Sequence, residues 1–327
     1  MKHLKGLHHV TAITSSAERI YQFFTYVLGL RLVKKTINQD DIQTYHLFFA
    51  DDAGSPRTDV TFFDFPGMTP AVKGSDEISR IGLRVPTDAS LAYWAKRFKE
   101  KGVDHLETTS IFGRKTLFFS DFDHQDYALF SDEGIKGVAP GRPWKKGPIP
   151  NEFAIYGLGP IFFRVSDVAA MNKALVDVLA MRMTSQENNM MLYEMGVGGN
   201  GASIIVEKDA DAPTAIQGYG GVHHIAFRIE DKAELDEWLE HYRRRRIPNS
   251  GYVDRFYFKS LYARIYRPIL FELATDGPGF IDDEESYVIL GETLALPPRF
   301  RAMRDKITKM VRHIDTVRSD LDFKKEY

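Results

Sequence analysis

The runs LHHVTAIT (7–14) and VHHIAFRI (222–229) decide the fold: each is a short, alternately apolar stretch opening on a His-His pair. Two further runs, SRIGLRVP (79–86) and GPIFFRVS (159–166), have the same strand character without the histidines. All four lead into segments whose apolar residues recur at helical spacing. Ile20, Phe23, Phe24, Val27 and Leu28 share one face in the first, with Ser15 or Ser16 as N-cap and Gly29 as the stop. Leu91, Trp94 and Phe98 serve the second, Val168, Met171, Leu175 and Leu179 the third, and Leu235, Trp238, Leu239 and Tyr242 the fourth. Three β-rich runs follow each helix, the last being TFFDF (61–65), YALFS (127–131), SIIVE (203–207) and ILFEL (269–273). From His9 to Asp64, Arg80 to Ser131, Pro160 to Glu207 and His224 to Glu272 the intervals are 55, 51, 47 and 48 residues. Such a repeat predicts an α+β chain of four βαβββ modules.

Outward from the repeats, residues 135–154 form a linker rich in proline and glycine, which resists helix and central strand alike. It separates an N-terminal domain (1–134, modules 1 and 2) from a C-terminal domain (155–280, modules 3 and 4), and residues 281–327 form an extension. In that extension Phe300, Met303, Ile307, Met310, Ile314, Val317 and Leu321 alternate by three and four, which predicts an amphipathic C-terminal helix. Packing on its own chain is the first expectation for that face and a contact between subunits the second; a homo-oligomer is expected. The run Arg243 to Arg246 closes a helix, where cations suit the dipole. With 43 basic against 45 acidic residues, the chain has no electrostatic footprint for nucleic acid or an anionic membrane. Cysteine is absent, which excludes disulfides, thiolate nucleophiles and iron–sulfur clusters. No stretch approaches the ~20 apolar residues of a membrane span, and Met1 to Thr14 lacks the apolar core of a signal peptide. A cytoplasmic protein is expected.

The modules differ in chemistry. Only modules 1 and 4 carry imidazoles on the opening strand together with a carboxylate, Asp64 or Glu272, on the last. Because a strand alternates faces, one histidine of each pair is expected to point into a curved sheet. Two imidazoles and a carboxylate with open positions form the facial triad of non-haem iron(II) enzymes, and the same donors suit manganese or zinc. A lone strand histidine is usually a core or surface residue; two pairs at repeat-equivalent positions reverse those odds. His3, His105, His124, His241 and His313 have no repeat partner and are expected to be ordinary, while His46 in TYHLFFAD is open.

The stretches GLHHVTAIT, TYHLFFADDAGSP, TDVTFFDFPG, YGGVHHIAFRI, DRFYFKSLY and ILFELATDGPGF resemble the ring-cleaving dioxygenases of the vicinal oxygen chelate superfamily, in the branch that opens hydroquinones. The resemblance runs from the first ten residues to about residue 280. It implies two curved-sheet units, with modules 1 and 4 in one cup and modules 2 and 3 in the other. It implies iron(II), with manganese(II) as the alternative, bound by His9, His224 and Glu272. His8 and His223 would sit beside the ligands, and Thr11 on the face of His9. Arg255 and Tyr262 would approach a small aromatic substrate that reacts with O2. His223 and Tyr262 are then acid–base groups and Arg255 stabilises an oxyanion. A glyoxalase-like lyase or isomerase with Asp64 as a fourth ligand is the alternative, followed by extradiol cleavage of a catechol and by a binding protein without turnover. One departure stands out: Tyr266-Arg267-Pro268 replaces the family's Pro-Gly-Gly turn before the carboxylate strand, at unchanged length, and predicts a bulkier rim to the substrate pocket.

Overall fold

The computed structural model describes residues 3–282 and 284–326. Its strands form two curved sheets of eight. The first runs, edge to edge, through Val253–Asp254, Lys259–Ala263, Phe271–Thr275, Gly221–Ile229, Leu7–Ile13, Asp59–Phe63, Asp41–Ala50 and Arg31–Asn38. The second runs through Arg182–Glu187, Met190–Glu194, Ser203–Lys208, Ile161–Val165, Glu77–Val85, Asp126–Ser131, Arg114–Ser120 and Thr109–Ile111. Modules 1 and 4 thus build one cup and modules 3 and 2 the other, as the resemblance implies. Each cup has a central seam where two opening strands run antiparallel. The sheets do not follow the halves of the chain, since each takes a module from either side of residues 135–154. Those residues pack rather than hang free: Trp144, Ile149 and Ala154 are buried, and Arg84 holds the Val138 and Ala139 carbonyls at 2.8 Å.

Alternation along the strands divides the core. Val10, Ala12, Val60 and Phe62 join Phe24 and the other helix residues in one cluster that also takes Leu83 and Ile161 from the second sheet and Trp94 from the helix Asp88–Lys101. The opposite faces hold two small clusters, one per cup. The first helix starts at Ser16, one of the two expected caps, and each of the other three has a capping side chain of its own. Ser16 accepts from the Arg19 N–H, Thr87 forms a capping box with Ser90, and Asp167 and Asp231 cap the third and fourth. The second helix ends at Gly102, whose φ of +67° is the left-handed conformation that glycine adopts without strain.

The C-terminal helix is shorter than the periodicity predicts. A 3₁₀ segment, Pro298–Met303, leads into one α-helix, Arg304–Met310, and Val311 is already extended. Beyond it Thr316 accepts from Lys35 and Arg318 donates to the carbonyls of Leu32 and Leu290. A helix would not reach those partners, and buried donors and acceptors that find partners prevail over a weak amphipathic pattern. Ile307, Val311 and Ile314 are buried on the chain itself, whereas Met310, Val317 and Leu321 are exposed. The extension also reaches the first cup through Lys34, whose buried ammonium lies 2.8 Å from Glu285 and 3.3 Å from Asp282. Among the described residues no helix is long and apolar enough to cross a membrane.

Candidate metal centre

The seam of the first cup carries two β-bulges, and they explain the His-His pairs. Strand Leu7–Ile13 pairs with Gly221–Ile229 through His9 with Ala226 and Thr11 with His224, and the register skips His8 on one strand and His223 on the other. A bulged residue escapes strict alternation. Each skipped histidine therefore turns toward its neighbour instead of the opposite face: His8 Nδ1 lies 2.9 Å from His9 Nδ1, and His223 Nδ1 lies 2.7 Å from His224 Nδ1. The expectation that one histidine of each pair faces away is corrected accordingly.

His9, His224 and Glu272 converge from three strands. The two histidine Nε2 atoms are 3.2 Å apart, and Glu272 Oε2 stands 3.2 Å from His9 and 3.0 Å from His224. All three are buried, Glu272 completely. Ser260 donates to Glu272 Oε1 at 2.5 Å, while Oε2 receives no aligned hydrogen bond. Burial pushes the Glu272 carboxyl up, but the adjacent imidazoles outweigh it and hold the group well below the usual carboxylate range. Burial lowers His224 against the pull of that carboxylate. Burial takes His8 and His223 down to about 3, so both are neutral. Neutrality fixes the tautomer of His8. The Thr275 carbonyl can only accept, so His8 Nε2 donates to it at 3.0 Å, and His8 Nδ1 then accepts from His9 Nδ1. Two imidazole Nε2 atoms and an otherwise unsatisfied carboxylate oxygen, buried within 3.2 Å of one another, fit a divalent cation.

The parallel registers correct the expected equivalence of the last strands. Thr11 pairs with Thr61, Gly82 with Ala128, Phe162 with Ile205 and Ala226 with Glu272, so the position symmetric to Glu272 is Thr61 and not Asp64. Asp64 lies past the strand end, accepts from the Tyr45 N–H at 2.7 Å, and is outside the His9–His224–Glu272 cluster. Thr61 instead bonds Thr11 at 2.7 Å and His46 at 2.9 Å, and Thr11 reaches His224 Nε2 at 3.0 Å. In the second cup Arg80 takes the place of His9, with its guanidinium over Phe118 and Phe162, among apolar side chains.

A cavity of about 250 Å³ opens beside His9 and His224. His223 and Tyr262 line it with Arg255, whereas His8 lies behind His9 under Phe258 and does not reach it. Arg255 donates to the Tyr262 oxygen at 3.1 Å and pairs with Asp40 at 2.9 Å. Burial lowers this guanidinium, and its two partners outweigh that and hold it above its ordinary value. Burial also raises the Tyr262 phenol, which keeps its proton and can donate it into the cavity. His46, held neutral by burial, is sandwiched between Phe48 and Phe63 with centroids 4.0 and 4.4 Å away. Sequence reasoning missed Thr61, Ser260 and the Gln39–Asp40 turn that closes over Arg255, where Gln39 donates to the Arg255 carbonyl at 2.7 Å. The alternation in KSLY, which puts Ser260 on the face of Tyr262, was the one available signal for Ser260.

Two paired βαβββ cups with one His-His-Glu centre define a class. The chain belongs to the Glyoxalase/Bleomycin resistance protein/Dioxygenase superfamily, whose family model matches residues 6–128 and 157–277. Among its relatives is the "Putative ring-cleaving dioxygenase MhqA" of Bacillus subtilis strain 168, 41% identical over 316 residues, covering 95% of this chain and 99% of that one. The chlorohydroquinone/hydroquinone 1,2-dioxygenase of Sphingobium indicum is 29% identical, over 94% of this chain and 95% of its own. A crystal structure of a "putative dioxygenase" from Bacillus subtilis superposes with a TM-score of 0.88 at 29% identity, covering 97% of this chain and 99% of that one.

Proposed function

We propose that this protein is a non-haem iron(II) dioxygenase that cleaves the ring of substituted hydroquinones with O2. The observation that carries this reading is Thr61 at the position symmetric to Glu272. A carboxylate there would give a metal four protein donors, the arrangement the lyase alternative needs. Threonine leaves three, with positions open to substrate and oxygen. The names of the relatives support the same chemistry.

His9, His224 and Glu272 would hold the metal, and iron(II) would supply coordination of the substrate and electron transfer to oxygen. The chain's own residues do the rest. Phe48, Phe63 and Phe258 wall the cavity and exclude water from the ring. The Tyr262 hydroxyl, its oxygen already accepting from Arg255, directs its proton toward the ring hydroxyl, and the adjacent guanidinium favours negative charge there. His223, its Nδ1 2.7 Å from that of His224, lines the cavity and would exchange a proton with the substrate there. His8 holds the orientation of His9 from outside the cavity.

The direct test is anaerobic loading with iron(II), then oxygen-electrode recording as methylhydroquinone is added. Uptake near one O2 per substrate with a ring-opened product is expected; no uptake with iron verified as bound would overturn the reading. Tyr262→Phe should lower kcat by about 10²-fold, the scale of a lost proton or oxyanion donor. Iron content should be unchanged, and an equal loss of iron would show that the residue acts on the site rather than the substrate. Thr61→Glu should do the opposite to the metal: slower loss to chelator, with oxygen uptake reduced about tenfold or more as the open position closes. Faster iron loss from a folded Thr61→Glu protein would show that the symmetric position does not face the metal.

A further inference from the structure

Behind His223 lies a second cavity, of about 390 Å³, which shares His223 and Leu270 with the ring cavity. Its walls are apolar, from Ile78, Ile216, Val222 and Ile269. Two carboxylates reach it, but both are engaged: Asp76 accepts from the Ser166 N–H at 2.9 Å and the Tyr266 hydroxyl at 2.5 Å, and Glu77 accepts from the Gly74 N–H and Arg164 at 3.2 and 3.3 Å. The cations at its mouth are not matched in this way. Arg264 gives one N–H to the Pro268 carbonyl, and Arg267 makes no hydrogen bond or ion pair with any described residue. Both guanidiniums are exposed, on the turn between Lys259–Ala263 and Phe271–Thr275, and that turn is the segment where this chain departs from the expected glycines.

We propose that this cavity is a subsite for a ring substituent ending in a carboxylate, recognised by Arg267 and Arg264. The inference rests on the hydroquinone reading and extends it to substrate class. A ring held between Phe48 and Tyr262 would direct such a substituent past His223, along the apolar wall, to the two arginines. A guanidinium presents paired N–H groups that match a carboxylate, and two exposed guanidiniums outnumber the one lining carboxylate with only neutral partners, Asp76, which favours an anion over a neutral group of the same shape.

The test compares 2,5-dihydroxyphenylacetate with its neutral amide by calorimetric titration of the metal-loaded protein under argon. The acid should bind roughly five- to tenfold more tightly than the amide, as an accessible charged pair allows, and the ratio should shrink with added salt. In the Arg264→Gln/Arg267→Gln protein the ratio should fall to near one. Equal binding of acid and amide by the unaltered protein, or a preference that survives in the double variant, would overturn the proposal. Binding needs no turnover, so the outcome is separable from the oxygen-uptake test with methylhydroquinone, on which the dioxygenase reading stands or falls.

Discussion

His224→Ala is expected to lose metal and ring cleavage together. It removes one of the three proposed donors, and the described residues offer no other cluster of imidazoles and carboxylates to replace them. Losing only a partner that supports a ligand costs about 10- to 100-fold in metal affinity, so losing the ligand should cost more than the upper figure. The apoprotein should suffer too. Glu272 is fully buried, and without His224 its Oε2 faces only His9. An inadequately paired buried carboxylate costs several kcal/mol, on the order of 3 to 5. Iron analysis after dialysis and denaturant unfolding of the metal-free protein read the two effects separately. Full iron stoichiometry in the variant would remove His224 from the ligand set.

Lys34→Met should destabilise the protein by about 3–5 kcal/mol, the cost of stranding a buried partner. Glu285 is completely buried; it accepts from the Thr293 N–H and hydroxyl at 3.0 and 2.9 Å and takes its countercharge from Lys34. The pair ties the C-terminal extension to the strand that edges the first cup. Beside it Tyr257 and Phe280 pack on Phe48, so the loss should loosen the cavity floor as well. Adding Glu285→Gln should restore much of the loss, because the second change removes the stranded charge. Urea unfolding of both single variants and the double one measures the coupling. Strict additivity would mean that the two residues do not act as a pair.

The parts of this site that were legible in the sequence are those set by residue type and coarse spacing. The His-His pairs and ILFEL mark the seam and its carboxylate, because a strand–helix–three-strand repeat shows through whenever apolar periodicities are strong. Register was less legible. Asp64 aligned with Glu272 by distance along the chain, yet hydrogen bonding in the parallel pair put Thr61 level with it, three residues earlier. Loop lengths inside the module absorb such differences, and a count of residues cannot see them. The bulges were hidden for a related reason: His8 and His223 look like ordinary alternating positions until the partner strand, more than half the chain away, skips them. Asp40 and Gln39 reach Arg255 from a turn in another module, a contact only tertiary structure creates. The C-terminal pattern of threes and fours looked helical over its whole length, but carbonyls at Leu32 and Leu290 drew Arg318 into an extended path.

The seam between Leu7–Ile13 and Gly221–Ile229 bears on how the protein is made. A ribosome releases the first strand early and its seam partner only after about two-thirds of the chain. Throughout that interval module 1 shows an unpaired strand edge, the feature that invites pairing with other chains. Modules 2 and 3 are adjacent in synthesis and can close their own cup first. Module 4 then arrives last, bringing both His224 and Glu272, so that completion of the first sheet and completion of the donor set are a single event. Such long-range closure is intrinsically slow, and a nascent chain stalled before module 4 would hold His9 with no companion donors.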